Sequence, residues 1–293
     1  MFSEPELRYT APMLEYPWFR ALYRLGPLDL PSYYVLVSLG IVAGVFVALN
    51  EARRRGLPEV AVLDLSALSV LVGLFGARLL HAVVEQPDYY FSEFTSHPFR
   101  LLELWNGGFA ILGGVLLALP AAYLFCRYRR IPFLTVADVA ALALPLGLAV
   151  GRLGCLFAGC CYGKPAGHPL AIHYYIHERV APQVLALDRS LEGVGLHPTQ
   201  AMLSLAGLCT YLLLVALRRR LARPGQLFGA FLLLYALTRF PIELLRADHR
   251  GSWFGDTLST SQILVLPMAV VGMWLWFRPE SQTRVGLQSS ESP

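Results

Sequence analysis

Seven runs of nearly uninterrupted apolar residues organise this chain, at roughly 33–49, 60–84, 109–126, 134–157, 200–217, 226–245 and 262–277. Each approaches the ~20 residues that cross the hydrocarbon core of a bilayer as a helix. None keeps the apolar–polar alternation of a barrel strand. Lipid offers backbone groups no partner, so continuous apolar runs of this length predict helices. Basic residues follow alternate runs: Arg53, Arg54 and Arg55 after the first, Arg127, Arg129 and Arg130 after the third, Arg218, Arg219, Arg220 and Arg223 after the fifth, Arg278 and Arg284 after the seventh. The second run is followed instead by Glu85, Asp88, Glu93 and Glu103.

Arginine-rich connections stay in the cytoplasm, which predicts an outer N-terminus and a cytoplasmic C-terminus. The expected fold is an all-α integral membrane protein of about seven transmembrane helices. Its parts are an outer N-terminal segment at 1–32, a single seven-helix membrane domain at 33–277 and a cytoplasmic tail at 278–293. The domain carries an outer loop at 158–199, the longest connection and rich in His, Pro and Gly. Residues 1–25 carry several charges and lack the apolar core of a signal peptide, so the first run is expected to remain as an uncleaved anchor.

Composition narrows the classes. Of 293 residues, 56% are hydrophobic and 15% charged, against about 25% charged in soluble domains. A soluble enzyme, a disordered chain and a disulfide scaffold are excluded. The net charge of +4 is dispersed among the inter-helix clusters, with no basic patch for nucleic acid.

Ionisable residues inside the apolar runs are costly, about 2.5–3.5 kcal/mol each at a helix centre, and so mark candidate function. Five stand out: Arg78 and His81 in the second run, Arg152 in the fourth, and Arg239 with Glu243 in the sixth. Arg239 and Glu243 stand four apart, on one helix face. They form either a structural ion pair or an arginine held ready for an anion. Arg246, almost a turn later, adds positive charge expected near the outer interface. Arg152 lies between Gly151 and Gly154, which permit close approach by a backbone or ligand. Its planar fork suits a phosphate, unless it merely snorkels to the headgroups. Two membrane arginines on helices able to face each other favour a phospholipid headgroup.

Cys155, Cys160 and Cys161 fall together at the outer membrane boundary. Their spacing, with His168, His173 and His177 nearby, does not fit the paired pattern of a four-ligand zinc site, and no metal is expected. An oxidising outer face favours a Cys155–Cys160 or Cys155–Cys161 disulfide. His173 and His177 read as polar loop residues.

Taken together, these positions resemble the prolipoprotein diacylglyceryl transferase family of bacterial inner membranes, from about Leu25 to Met268. Leu25-Gly26-Pro27 and Tyr33 resemble its opening segment, and Gly76-Ala77-Arg78 its G-G-R segment. Trp105-Asn106-Gly107-Gly108 with Gly113-Gly114 follows the spacing of its W-x-G-G-x-x-x-H-G-G motif. Ala137-Asp138 leading to Gly151-Arg152-Leu153-Gly154 is similar to the start of its signature, and His197-Pro198-Thr199-Gln200 to its H-P-[ST]-Q. Tyr235, Arg239, Phe240, Glu243 and Arg246 are similar to its sixth-helix motif, and Ser261-Gln262-Ile263-Leu264 to its last. The family's histidine, asparagine and glutamate positions hold Leu112, Cys155 and Cys160, as in a divergent branch.

The resemblance implies transfer of a diacylglyceryl group from phosphatidylglycerol to the cysteine thiol of a prolipoprotein lipobox peptide, or to another acceptor, in lipoprotein biosynthesis. It implies a multi-pass protein of the bacterial inner membrane, in contact with membrane lipid and without nucleic acid. Arg152 and Arg239 would bind phosphate and neutralise the leaving group, with Glu243 holding Arg239. Tyr33, Tyr235, Arg246, Gly151 and Gly154 would complete the substrate site. No cofactor is expected, and the group acting as base stays open. Two other readings stay open: a non-catalytic lipid-binding membrane protein, and a thiol-redox protein using Cys155, Cys160 and Cys161.

Overall fold

A computed structural model describes residues 24–25, 28–29, 32–91, 100–102, 108–174, 189–221, 223–247, 252–253 and 258–278. Among these, seven helices are long and apolar enough to cross a membrane: Tyr33–Arg54, Glu59–Val84, Ile111–Tyr128, Phe133–Ala158, Thr199–Leu217, Gln226–Leu244 and Thr260–Phe277. All seven apolar runs of the sequence are helices, and the protein is a multi-pass membrane protein. The first span continues to Arg54, past the apolar run, because Glu51 and Arg55 pair one turn apart (2.9 Å) and let the helix carry charge. Most of the expected segment 1–32, the middle of loop 158–199 and the tail beyond Arg278 lie outside the described residues.

The helices are α1 (Ser32–Arg54), α2 (Glu59–Leu80), a short α3 (Pro87–Phe91), α4 (Ile111–Tyr128), α5 (Phe133–Ala158), α6 (Thr199–Leu217), α7 (Gln226–Leu244) and α8 (Thr260–Phe277). A single π-helical turn, His81–Glu85, joins α2 to α3. Three two-residue hairpins tie down loops: β1 (Arg24–Leu25) with β2 (Leu28–Asp29), β3 (Ile172–His173) with β4 (Gly195–Leu196), and β5 (Ser252–Trp253) with β6 (Leu258–Ser259). α5 is the hub, packed on α1, α6 and α7, while α2 pairs with α4 and α7 with α8. Helix association in lipid depends on close packing of small residues. Gly76 of α2 and Gly113 of α4 show it: a Cβ on either would collide with the other's carbonyl oxygen.

One end of the bundle is locked by charge. Asp138, fully buried in α5, accepts hydrogen bonds from the Gly225 and Phe228 amides (2.9 Å each) at the start of α7. Gly225, the N-cap residue of α7, has no side chain to offer, so a carboxylate from another helix satisfies its orphan donors. Arg55 reaches the same carboxylate at 3.2 Å, and Arg218 reaches Glu51 at 3.3 Å. These four residues join α1, α5, α6 and the connection after α1.

Removing one partner of a buried charge cluster costs about 3–5 kcal/mol. Asp138→Ala is therefore expected to lower the thermal unfolding midpoint in detergent markedly and to speed hydrogen exchange at the Gly225 and Phe228 amides. Unchanged exchange there would show that the α7 terminus does not depend on this carboxylate.

Candidate functional site

The site is assembled at the opposite end of the bundle, beginning with α7. Its helical spacing brings Arg239 Nη2 to 2.7 Å from Glu243 Oε2, as expected of the pair, and both side chains are buried. Arg246 Nε lies 3.7 Å from the same oxygen. Arg246 is buried, 6% exposed. Glu243 attracts it, and its backbone bridges to Gly163. The start of α8 closes the cluster. Ser259 Oγ donates to Glu243 Oε1 (3.2 Å), and Arg239 Nη2 donates to Ser261 Oγ (3.1 Å). Ser259 also caps α8, with Gln262 returning a bond to the Ser259 amide. This capping box is visible in the sequence as S-x-x-Q, but nothing in that pattern shows that its serine also reaches Glu243.

Arg239 Nη1 is buried and has no hydrogen-bond partner among the described residues. A buried donor without an acceptor costs about 1–3 kcal/mol, more for a charged group. An anionic oxygen entering the site would remove that cost. Arg239 lines a cleft with Arg152 and Pro145 of α5, Leu203 of α6, and Tyr235 and Thr238 of α7 among its walls. The two arginines, Thr210, Tyr235 and Thr238 make its polar part, and Pro145, Leu148, Leu203 and Phe231 belong to its apolar part. Tyr33 stands apart from this lining. It sits at the start of α1 against Gly154, where a Cβ would lie 3.2 Å from the Tyr33 carbonyl oxygen. Gly151 faces open space, and a Cβ there would meet nothing within 4 Å.

Beyond Arg152 the chain turns sharply. Gly159 ends α5 in the left-handed conformation (φ 65°), and Cys161 is left-handed too (φ 62°), which is uncommon without glycine. The turn gathers the sulfurs of Cys155, Cys160 and Cys161 within 4.8 Å of one another. All three are free thiols, so the expected disulfide is not formed. The Cys160 Sγ instead lies 3.7 Å from the Cys155 carbonyl, pointing back along the helix end. Hydrogen bonding with Cys155 and then Cys161, with burial, holds the Cys160 thiol well above the ordinary thiol range. Arg152 Nη1 lies 3.7 Å from Cys161 Sγ.

The segment His197-Pro198-Thr199-Gln200 braces this turn. Thr199 Oγ1 donates to the Cys161 carbonyl (2.7 Å) and Gln200 Nε2 to the Cys160 carbonyl (2.8 Å). The Gly163 amide bonds to the His197 carbonyl, and the Lys164 amide to that of Leu245. The cysteine turn is thus pinned between the start of α6 and the end of α7. Of the loop histidines, His168 pairs with His197 (3.0 Å) and His173 with the Gly193 carbonyl (3.0 Å), while His177 lies outside the described residues.

Arg78 and His81 do not join the cleft. Arg78 is buried, donates to the Leu101 and Gly108 carbonyls (3.1 and 3.3 Å), and lies 5.0 Å from the Tyr90 ring centre. His81 packs edge-on against the same ring. They fasten the connection between α2 and α4.

The fold makes this an integral membrane protein with a partly apolar cleft, lined by two arginines, between its spans. The chain matches the prolipoprotein diacylglyceryl transferase family over residues 20–278, and it belongs to that family. It is 33% identical to the phosphatidylglycerol–prolipoprotein diacylglyceryl transferase of Symbiobacterium thermophilum over 87% of this chain and 91% of that protein. The proteins of the same name from Halalkalibacterium halodurans and Geobacillus kaustophilus are 30% and 31% identical, over 89% of this chain and 86% and 92% of theirs. The protein is therefore a membrane-spanning transferase of lipoprotein biosynthesis.

A hydrogen bond to a charged group contributes about 1.5–3 kcal/mol. Ser261→Ala, which leaves the α8 cap in place, is expected to cut turnover roughly 10–100-fold by freeing Arg239, with the melting temperature nearly unchanged. Ser259→Ala should lower the melting temperature as well, since loss of a cap costs about 1 kcal/mol. Equal melting losses in the two variants would contradict this division of roles.

Proposed function

We propose that this protein transfers the diacylglyceryl group of phosphatidylglycerol to the cysteine thiol of a prolipoprotein lipobox peptide in the bacterial inner membrane. The observation that carries the reading is the cleft with Arg152 and Arg239 at its polar part and apolar walls along the remainder. That division matches a lipid with a phosphate headgroup and acyl chains. The buried Arg239 Nη1 supplies an unused donor for a phosphate oxygen.

In the reaction the acceptor thiolate attacks the glycerol carbon that carries the phosphate ester. The carbon–sulfur bond forms as the carbon–oxygen bond breaks, and its electron pair leaves on the phosphate oxygen as glycerol phosphate. Arg152 and Arg239 bind the headgroup and stabilise the charge that grows on the leaving oxygen, an electrostatic role fixed before the reaction begins. Glu243 aims Arg239, and Tyr235 offers a hydroxyl to the headgroup. Gly154 keeps Tyr33 beside the arginine turn. The site faces the outer side of the membrane, with the Arg55–Asp138–Arg218 end in the cytoplasm, as the arginine distribution requires.

The test is an in-vitro transfer assay with purified protein, phosphatidylglycerol and a lipobox peptide, followed by peptide mass. The peptide is expected to gain a diacylglyceryl group. Arg152→Ala should lower that rate at least ~10²–10³-fold, the range found when a transition-state donor is removed, while inserting normally. Arg152→Lys should restore only part, because an ammonium lacks the bidentate fork. Full activity in Arg152→Ala would refute the phosphate role. A reporter fused after Arg278 is expected to read cytoplasmic, and an outer reading would invert the site.

A further inference from the structure

Three thiols gathered at one turn, against a cationic side chain, are not accounted for by lipid binding. We propose that Cys155, Cys160 and Cys161 form a three-thiolate zinc site whose open fourth position takes the acceptor thiol. The inference rests on the transferase reading above.

The geometry is that of a site nearly formed. Thiolates around a tetrahedral zinc at about 2.3 Å stand about 3.8 Å from one another. The three sulfurs here already lie within 4.8 Å, so modest side-chain rotation completes the shell. Among the described residues, no His, Asp or Glu belongs to the group. An all-sulfur donor set excludes magnesium, calcium and manganese and selects a thiophilic ion. Three protein ligands with one open position mark a reactive zinc rather than a structural one. Cys160 is partly exposed while Cys155 and Cys161 are buried, which leaves one side for an incoming ligand.

Two features show the turn to be built for these sulfurs. Cys161 holds a left-handed backbone that glycine would adopt at lower cost, and such strain in a non-glycine residue accompanies function. Thr199 and Gln200 then fix the Cys161 and Cys160 carbonyls, as outer-shell bonds fix metal ligands.

The site also fills a chemical need. Among the described residues, none lining the cleft is a His, Asp or Glu, so this lining offers no ordinary base for the acceptor thiol. Zinc deprotonates a thiol that coordinates it. The acceptor would lose its proton to water on binding, attack the glycerol carbon through sulfur, and expel glycerol phosphate. The product thioether, neutral and a poor ligand, then leaves the metal. Arg152 links the two halves. It lines the cleft, and its Nη1 lies 3.7 Å from Cys161 Sγ, so the nucleophile would be held next to the phosphate.

The experiment is a Co²⁺ titration of the full, metal-stripped protein in detergent, read by thiolate-to-cobalt charge-transfer absorption. Saturation at one ion per chain is expected, with the band lost in Cys160→Ser and kept in Cys209→Ser. Adding a lipobox peptide should raise the band by about one third, from three thiolates to four, whereas the same peptide with serine should not. Zn²⁺ should bind with the same stoichiometry and restore transfer lost to a chelator. No stoichiometric uptake by the unaltered protein, or uptake kept in Cys160→Ser, overturns the metal site. A band indifferent to the peptide thiol overturns the acceptor role. If ion and peptide thiol both bind but phosphatidylglycerol is never consumed, the metal site stands and the transferase reading falls.

Discussion

The carboxylate of Glu243 is the point on which the functional half of the molecule depends. Two arginines, Arg239 and Arg246, lie within 4 Å of it, and it offsets the cost of burying both. Through Arg239 it is connected to the cleft, and through Ser259 to the start of α8. Through Arg246 it is connected to the cysteine turn, since Arg246 bridges to Gly163. Where desolvation of an ion is so costly, one anion shared by two cations is a compact solution. It leaves net positive charge beside the cleft.

The seven spans were legible because lipid permits only one reading of a long apolar run. Arg152, Arg239 and Glu243 were legible for the same reason, as charges where charge is costly. What the sequence concealed were contacts between residues far apart. Asp138 reads as an ordinary acid in an apolar helix until Gly225 and Phe228 are brought to it from almost ninety positions away. Ser259 shows in the sequence only as a helix cap and Ser261 only as part of a motif, and it is the fold that places them against Glu243 and Arg239. Arg78 and His81 carry the same warning from the other side. They are as conspicuous in sequence as Arg152, yet their partners are carbonyls and rings of a neighbouring connection.

The cysteine turn divides the two kinds of information most clearly. Its spacing fits no familiar metal pattern, and an oxidised pair was the natural expectation. The fold shows free thiols converging from a helix end and a left-handed turn. Spacing patterns presuppose ordinary hairpin or helical geometry between ligands, and two left-handed corners in close succession, Gly159 and Cys161, break that assumption.

The charge lock around Asp138 has a mechanical consequence. Fastening α1, α5, α6 and α7 at one extremity, while the cysteine turn ties α5, α6 and α7 at the other, strings the cleft between two anchored ends. Its walls behave like cords held at both ends, and loosening the distant anchor slackens them without touching the cleft itself.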